Sequence, residues 1–417
     1  MKNKILLTAL FVAGTLASQA QQNKKTFAIT GDGNNDYVWM NIRQVDLGTG
    51  QVTKNLFERS KTNFTLTDVN SKQTVNQLTT AQGDIFSSVN YPTGTFVAAA
   101  AYDARTQKLF FTPMRMGELR WLDLSDRNET PKFFSMHTEL MAAATPGDEA
   151  TNITRMVIGA DGNGYALSND GNRFLKFTTA KKPVITDLGN LIDADGSTVS
   201  IHNKCSSWGG DMIADAFGKL YVISASQSVF MIDPATRIAT YKGHIQGLPA
   251  GYTTNAAAVN DDGEIVVGSA IKFDGFYKMK LADLKAVRIE GSDIKYNASD
   301  FANANLLLQK EADASNSFSM AGSVLPIVTP ASETKVFPNP VINAQFNVLF
   351  DGRPEGRYTI VLSDLAGRAI QSKTVNITKG SQVEKINLNS GMAKGVYLVK
   401  VLNENKAIVL TEKIIVQ

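Results

Sequence analysis

The chain has 417 residues, a formal net charge of +3, 19% charged residues and 43% hydrophobic residues. A charge so near neutrality excludes the basic footprint that nucleic acid or an anionic membrane requires. The single cysteine, Cys205, excludes a small ectodomain stapled by internal disulfides. The length exceeds one compact core and suggests two or three units, or one large ring of sheets.

At the N-terminus, "MKNKILLTALFVAGTLASQAQQ" sets Lys2 and Lys4 before an uncharged run from Ile5 to Ala17, then small residues at Ser18 and Ala20. This is the order of a secretory signal peptide over 1–20, cut between Ala20 and Gln21. The apolar run falls short of the ~20 residues of a spanning helix. No later run competes, so the mature chain is expected to be soluble and to have no transmembrane segment.

The next signal is recurrence. "AAAAYDARTQKLFFTP" (Ala98 to Pro113), "TRMVIGADGNGYALSN" (Thr154 to Asn169), "GDMIADAFGKLYVISA" (Gly210 to Ala225), "NAAAVNDDGEIVVGSA" (Asn255 to Ala270) and "YNASDFANANLLLQK" (Tyr296 to Lys310) share one pattern. Each reads as a strand of small residues, a turn rich in Asp, Asn and Gly, and a strand of aromatic and branched residues, the signature of a β-hairpin.

A second hairpin follows most copies, as in "RFLKFTTAKKPVITDL" and "VFMIDPATRIATYKG". Two hairpins make a four-stranded unit recurring every roughly 40 to 55 residues, the period of propeller blades. The last copy lacks its second hairpin, since "EADASNSFSMAGSVLP" has no pattern. "KTFAITGDGNNDYVWMNIRQVDLGTGQVTKNLF" supplies the missing half from the other end and closes the ring. The expected fold is therefore all-β, with a propeller of about five blades over 21–312. Glu58 to Thr95 is either a sixth blade or a long excursion, and a stack of β-sandwiches is the competing architecture.

A linker over 313–333 leads to a different texture over 334–417. Short alternating strands there are separated by Gly, Asn, Asp and Pro, enough for a small Ig-like β-sandwich. Pro338 and Pro340 restrict the chain at the first strand and withhold ladder donors.

From Lys335 to Gln417 the chain resembles the type A C-terminal sorting domain of the type IX secretion system of Bacteroidota. The resemblance rests on "FPNP" (Phe337, Pro338, Asn339, Pro340), "DLAGR" (Asp364 to Arg368, with Gly367), "GVYLVKV" (Gly395 to Val401, with Tyr397) and the terminal "EKIIVQ" with Lys413. It implies a cleavable address read by the outer-membrane secretion machinery. Release or attachment to the cell-surface polysaccharide would follow, placing the product outside the cell or on its outer surface by way of the periplasm. An address says nothing of the chemistry of its cargo.

That chemistry is harder to read. His137, His202 and His244 lie far apart, and His202 with Cys205 gives one pair where a structural zinc needs four ligands. "GDGNND" (Gly31 to Asp36) and "GADGNGYALSNDGN" (Gly159 to Asn172) offer oxygen ligands without the spacing of an EF-hand. Turn residues do the same job in hairpins. No cofactor is expected, with calcium the alternative.

Aligning the repeats on Phe110, Tyr165, Tyr221, Ile265 and Leu307 sets Ala100, Arg155, Asp211, Asn255 and Asn297 at one position of the innermost strands. Such positions converge on the channel of a propeller. Arg155, Asp211, Asn255 and Asn297, with Trp208 beside them, are thus the candidate site for a small polar ligand. The competing reading is a solvated channel in which Arg155 pairs with Asp211.

The expected role is an exported propeller that binds a small polar ligand, a glycan or a protein, and no catalytic residue is assigned. A metal-assisted, lactonase-like propeller hydrolase and a structural component of the cell envelope are the rival functions.

Overall fold

A computed structural model describes residues 25–33, 36–77, 88–125, 129–143, 147–291, 296–320, 334–351, 353–364, 368–378, 381–389 and 391–416. The signal segment, with Ala20 and Gln21, lies outside them, as does Gly367. Two compact units divide between Ala312 and Asp313. Among the described residues no helix is long and apolar enough to cross a membrane.

The first unit is a five-bladed propeller. Its innermost strands are Ala298–Ala302, Val97–Asp103, Ile153–Ile158, Asp211–Ala214 and Ala256–Val259. Each touches the next in a closed ring, and each begins a sheet that runs outward. We number the blades 1 to 5 in that order.

Alanine recurs in these strands because they converge on the axis, where little width remains between neighbours. Farther out the side chains grow, and every blade-to-blade seam holds its own apolar cluster. Between blades 1 and 2 that cluster includes Phe27, Phe57, Phe64, Tyr102, Phe111 and Phe133. Phe57 meets Phe133 edge to face, with ring centroids 5.1 Å apart.

The hairpins turn where the Asp and Asn residues predict. Asp161 Oδ1 accepts the Asn163 N–H at 3.1 Å, Asp215 Oδ1 accepts the Phe217 N–H at 2.9 Å, and Asn260 Oδ1 accepts the Asp262 N–H at 3.0 Å. Gly162, Gly218 and Gly263 follow at positive φ, where a Cβ would be strained.

Closure joins the two ends of the unit, with a different division of strands from that expected. Blade 1 takes only its innermost strand from the late segment and three strands, Thr26–Thr30, Asn41–Val45 and Val52–Phe57, from the N-terminal one. The second half of "YNASDFANANLLLQK" is not a strand. The chain instead crosses from blade 1 to blade 4, where the Leu307 N–H donates to the Ala214 carbonyl and the Ala216 N–H to the Leu307 carbonyl, both at 2.9 Å. Leu307 enters the seam between blades 4 and 5, and Leu306 packs on the seam between blades 3 and 4. A helix, Gln309–Met320, then occupies residues expected to have no regular structure.

The described residues of Glu58 to Thr95 form no sixth blade. Phe64–Asp68 and Thr74–Gln77 pair as a hairpin whose first strand lies parallel to the outer strand of blade 2, Lys132–His137, giving that sheet six strands.

The second unit has seven strands in two layers. Its first strand, Thr334–Ile342, belongs to both: Thr334 to Phe337 pair with Gln345–Asp351, while Val341 pairs with Val416 in the terminal strand. Between these pairings lie cis peptides at Phe337-Pro338 and Asn339-Pro340. Asn339 carries the ladder across this break, donating from Nδ2 to the Lys413 carbonyl at 2.7 Å and accepting the Ile415 N–H at 3.0 Å. Arg368 closes its turn on Asp364, and the Tyr397 hydroxyl donates to the Ala393 carbonyl. Gly395 opens the strand Gly395–Leu402.

Leu307 tests the crossing segment. Leu307→Ala removes a fully buried side chain from a seam and is expected to lower propeller stability by roughly 2 to 4 kcal/mol in urea denaturation. A midpoint equal to wild type would show that the crossing carries no load.

Candidate functional site

An innermost strand pairs on one edge only. Its other edge turns N–H and C=O groups toward the axis, where burial makes an unpaired group costly. Asp211, fully buried at the start of blade 4, answers part of that demand. Its Oδ2 accepts the Ala257 N–H of blade 5 at 2.7 Å and the Phe301 N–H of blade 1 at 3.0 Å, while Oδ1 accepts the Met212 N–H at 2.6 Å. One carboxylate thus links three blades across the axis.

Asp300, also fully buried, lies against the Ala100 amide of blade 2 and the Asp211 carboxyl. Neither of its oxygens has a well-formed hydrogen bond. Burial raises Asp211 to about 7 against the pull of its three amides. Burial raises Asp300 well above the usual range as well, and the adjacent Asp211 charge pushes it further.

The structure separates the other residues of the expected ring. Turn lengths differ between blades, so Phe110, Tyr165, Tyr221 and Ile265 pair with Ala101, Val157, Ile213 and Val259. Counting back ten residues from each therefore lands at unequal depths. Arg155 and Asp211 lie on one level, Ala257 replaces Asn255 there, and Leu307 has no hairpin partner. Arg155 does not pair with Asp211. It donates from Nη2 to the Asn169 carbonyl at 2.5 Å, and the charge acting on it is that of Asp170.

Asn255 precedes its strand and accepts the Ala270 N–H at 3.4 Å through Oδ1. Asn297 is buried, with Oδ1 unpartnered among the protein atoms. Trp208 is half-buried. Its indole N–H donates to the His202 carbonyl, and Lys204 Nζ lies 4.9 Å from the ring centre, so one face is taken.

Sequence reasoning left Asp300 out of the site. Its signal was a lone charge among small residues in "NASDFA", at a depth where a strand residue is buried.

A cavity of about 10 Å³ on the axis is lined by residues of all five innermost strands and by Asn303 and Asn305 of the crossing segment. That is room for one water at most. Larger clefts open on the face formed by the hairpin turns. One of about 450 Å³ lies between the Asn260 to Gly263 turn and Asn305 to Glu311. Another of about 440 Å³ is lined by Tyr165, Lys176, Phe217, Lys219 and Asp233.

The carboxylates proposed as calcium ligands have protein partners. Arg59 bonds to both Asp32 and Asp36, and Lys176 to Asp161. His202 Nδ1 is within 2.6 Å of the Asp170 carbonyl, and Cys205 is exposed. Among the described residues, no group of three or more His, Cys, Asp or Glu is placed to hold a metal ion.

The fold defines a five-bladed propeller followed by a separate β unit. Residues 335–417 match the secretion system C-terminal sorting domain, and that domain is a type IX secretion tail. No curated protein matches the chain in sequence.

Among solved structures, the chain is similar to PorZ, a surface component of the type IX secretion system of Porphyromonas gingivalis, at 11% identity over 94% of this chain and 51% of that one, with a TM-score of 0.29. It is similar to the extracellular domain of a putative one component system from B. thetaiotaomicron at 12% identity, over 91% and 48% of the two chains, with a TM-score of 0.32. The chain thus spans about half the length of both. A putative 6-phosphogluconolactonase from Bacteroides uniformis is similar at 11% identity over 94% and 96%, with a TM-score of 0.35. Scores this low leave function to the chain's own residues.

The raised carboxyls predict a pH dependence. The native pair holds protons that the unfolded carboxyls release above about pH 4, so its contribution is fully present below that pH and lost as pH rises toward and through 7. Thermal melts should show wild type losing stability from pH 5 to pH 8. Asp300→Asn, which keeps the shape without the titration, should lose less. Parallel pH profiles for the two proteins would remove the axial pair as the cause.

Proposed function

We propose that this chain is a binding protein delivered to the cell surface or released by the type IX system, and that it recognises a polar ligand on the hairpin-turn face of the propeller. The observation that carries this reading is the use made of Asp211. A channel hydrolase needs carboxylates free to meet substrate, metal or water. Here Asp211 is filled by three backbone amides, and Asp300, whose oxygens lack well-formed hydrogen bonds, is fully buried against it and against the Ala100 amide.

The clefts on the turn face are lined by asparagine, aspartate, lysine and aromatic side chains. Those groups suit a ligand rich in hydroxyl or amide groups, a glycan before other classes. Loops on a rigid ring are also where binding residues vary without disturbing the core.

Calorimetric titration of the full chain with pooled oligosaccharides tests the reading. Phe217→Ala, at the exposed lip of the 440 Å³ cleft, is expected to weaken binding about tenfold, the scale of one lost stacking contact. Turnover of a lactone or ester panel that disappears in a folded Asp211→Asn variant would instead establish the hydrolase.

Delivery has its own test. Removing 335–417 should leave the propeller in the periplasm, and fractionation would detect it there. Surface display of the shortened chain would show that the address lies elsewhere.

A further inference from the structure

Arg120 and Arg155 are both fully buried in the propeller, and their surroundings differ. Arg120 donates from Nε to Glu118 Oε2 at 2.7 Å, from Nη1 to the Tyr91 and Pro92 carbonyls, and from Nη2 to the Val89 carbonyl. Each of its nitrogens has an acceptor, and one acceptor carries a negative charge. Arg155 reaches only Asn169, through Nη2, while Nε and Nη1 have no partner among the protein atoms.

Among the described residues, no carboxylate compensates Arg155 by contact. Asp170, the one charge that acts on it, spends its oxygens on the Ser168 hydroxyl and on the Asn172 N–H and side-chain amide. Burial lowers the guanidinium only to about 10, so it remains a cation at neutral pH. A buried cation without a counter-charge is strongly destabilising, and the remedy is an anion.

We propose that Arg155 is the base of a binding site for a small monoanion, either a free halide or the carboxylate of a larger ligand, at the end of the axis where the innermost strands begin.

Asn169, the residue that Arg155 bonds, is already committed elsewhere. Asn169 Oδ1, 3.5 Å from Arg155 Nη2, accepts the Gly209 N–H at 2.6 Å and the Thr154 hydroxyl at 3.1 Å. A Cβ on Gly209 would come within 3.9 Å of Asn255 Nδ2. Arg155, Asn169 and Gly209 are therefore joined by successive hydrogen bonds, and the Asn255 amide lies on the far side of Gly209. Gly209 holds φ at +66°, and a Cβ there would also stand 2.8 Å from Ala225 Cβ, so the turn requires glycine.

Arg155 is fully buried, while Trp208, next to Gly209 in the chain, and Asn255 are half-buried. A fixed cation with two unpartnered N–H-bearing nitrogens selects an anion over a metal ion. The site uses none of the turn-face cleft residues, so it stands or falls separately from the proposed glycan binding.

The experiment is a thermal melt of the full chain in rising sodium bromide and, separately, sodium acetate, with sodium sulfate holding ionic strength constant. The expected result is a saturable rise of roughly 3 to 5 °C at ten times the dissociation constant, absent in Arg155→Met. A rise with both anions identifies a free-monoanion site, and a rise with acetate alone identifies a carboxylate pocket. If Arg155→Met fails to fold, wild-type crystals soaked in bromide decide. An anomalous peak within hydrogen-bonding reach of Nε or Nη1 supports the site. A water there, with melts flat in both salts, overturns it.

Discussion

A ring of sheets has no end strands to hide, but it has an inside edge, and the backbone groups on that edge must bond to something other than a neighbouring strand. Asp211 meets this constraint by taking amides from blades 4, 5 and 1 at once. The innermost strands can approach one another because their residues are small, and that approach brings Ala257 and Phe301 within reach of one carboxylate. The alanine-rich strands and the buried acid are two parts of one solution.

The same crowding explains the small axial cavity. Carboxylates sit near the end where the innermost strands begin, a cavity of about 10 Å³ lies between, and Asn303 and Asn305 border it from the crossing segment. Asn303 Nδ2 donates to the Val259 carbonyl and lies 3.2 Å from Thr26 Oγ1, so this segment ties blade 5 to blade 1 as well.

Much of the fold was legible because local chemistry and blade geometry coincide. Asp161, Asp215 and Asn260 each begin a tight turn by capping an amide two residues on, a contact that neighbours in sequence can make. The split blade was legible from a missing hairpin, although its division into one strand and three was not. That division depends on Leu307 finding the seam between blades 4 and 5, far from its own blade in sequence. The helix Gln309–Met320 carries no strong amphipathic pattern to announce it.

The sequence by itself determined the strands, the turns, the blade period and the sorting tail, because each depends on residues near one another in the chain. Only the tertiary structure decided what the axial residues do. Repeat alignment put Arg155, Asp211, Asn255 and Asn297 on one level, but hairpins of unequal length keep Arg155 level with Asp211 and move Asn255 off it. Arg155 bonds within its own blade, Asp211 bonds across three blades, and Asp300 joins it from the innermost strand in which the alignment had chosen Asn297. Those partners are set by how five strands crowd around one axis, a relation between distant residues that no local pattern encodes.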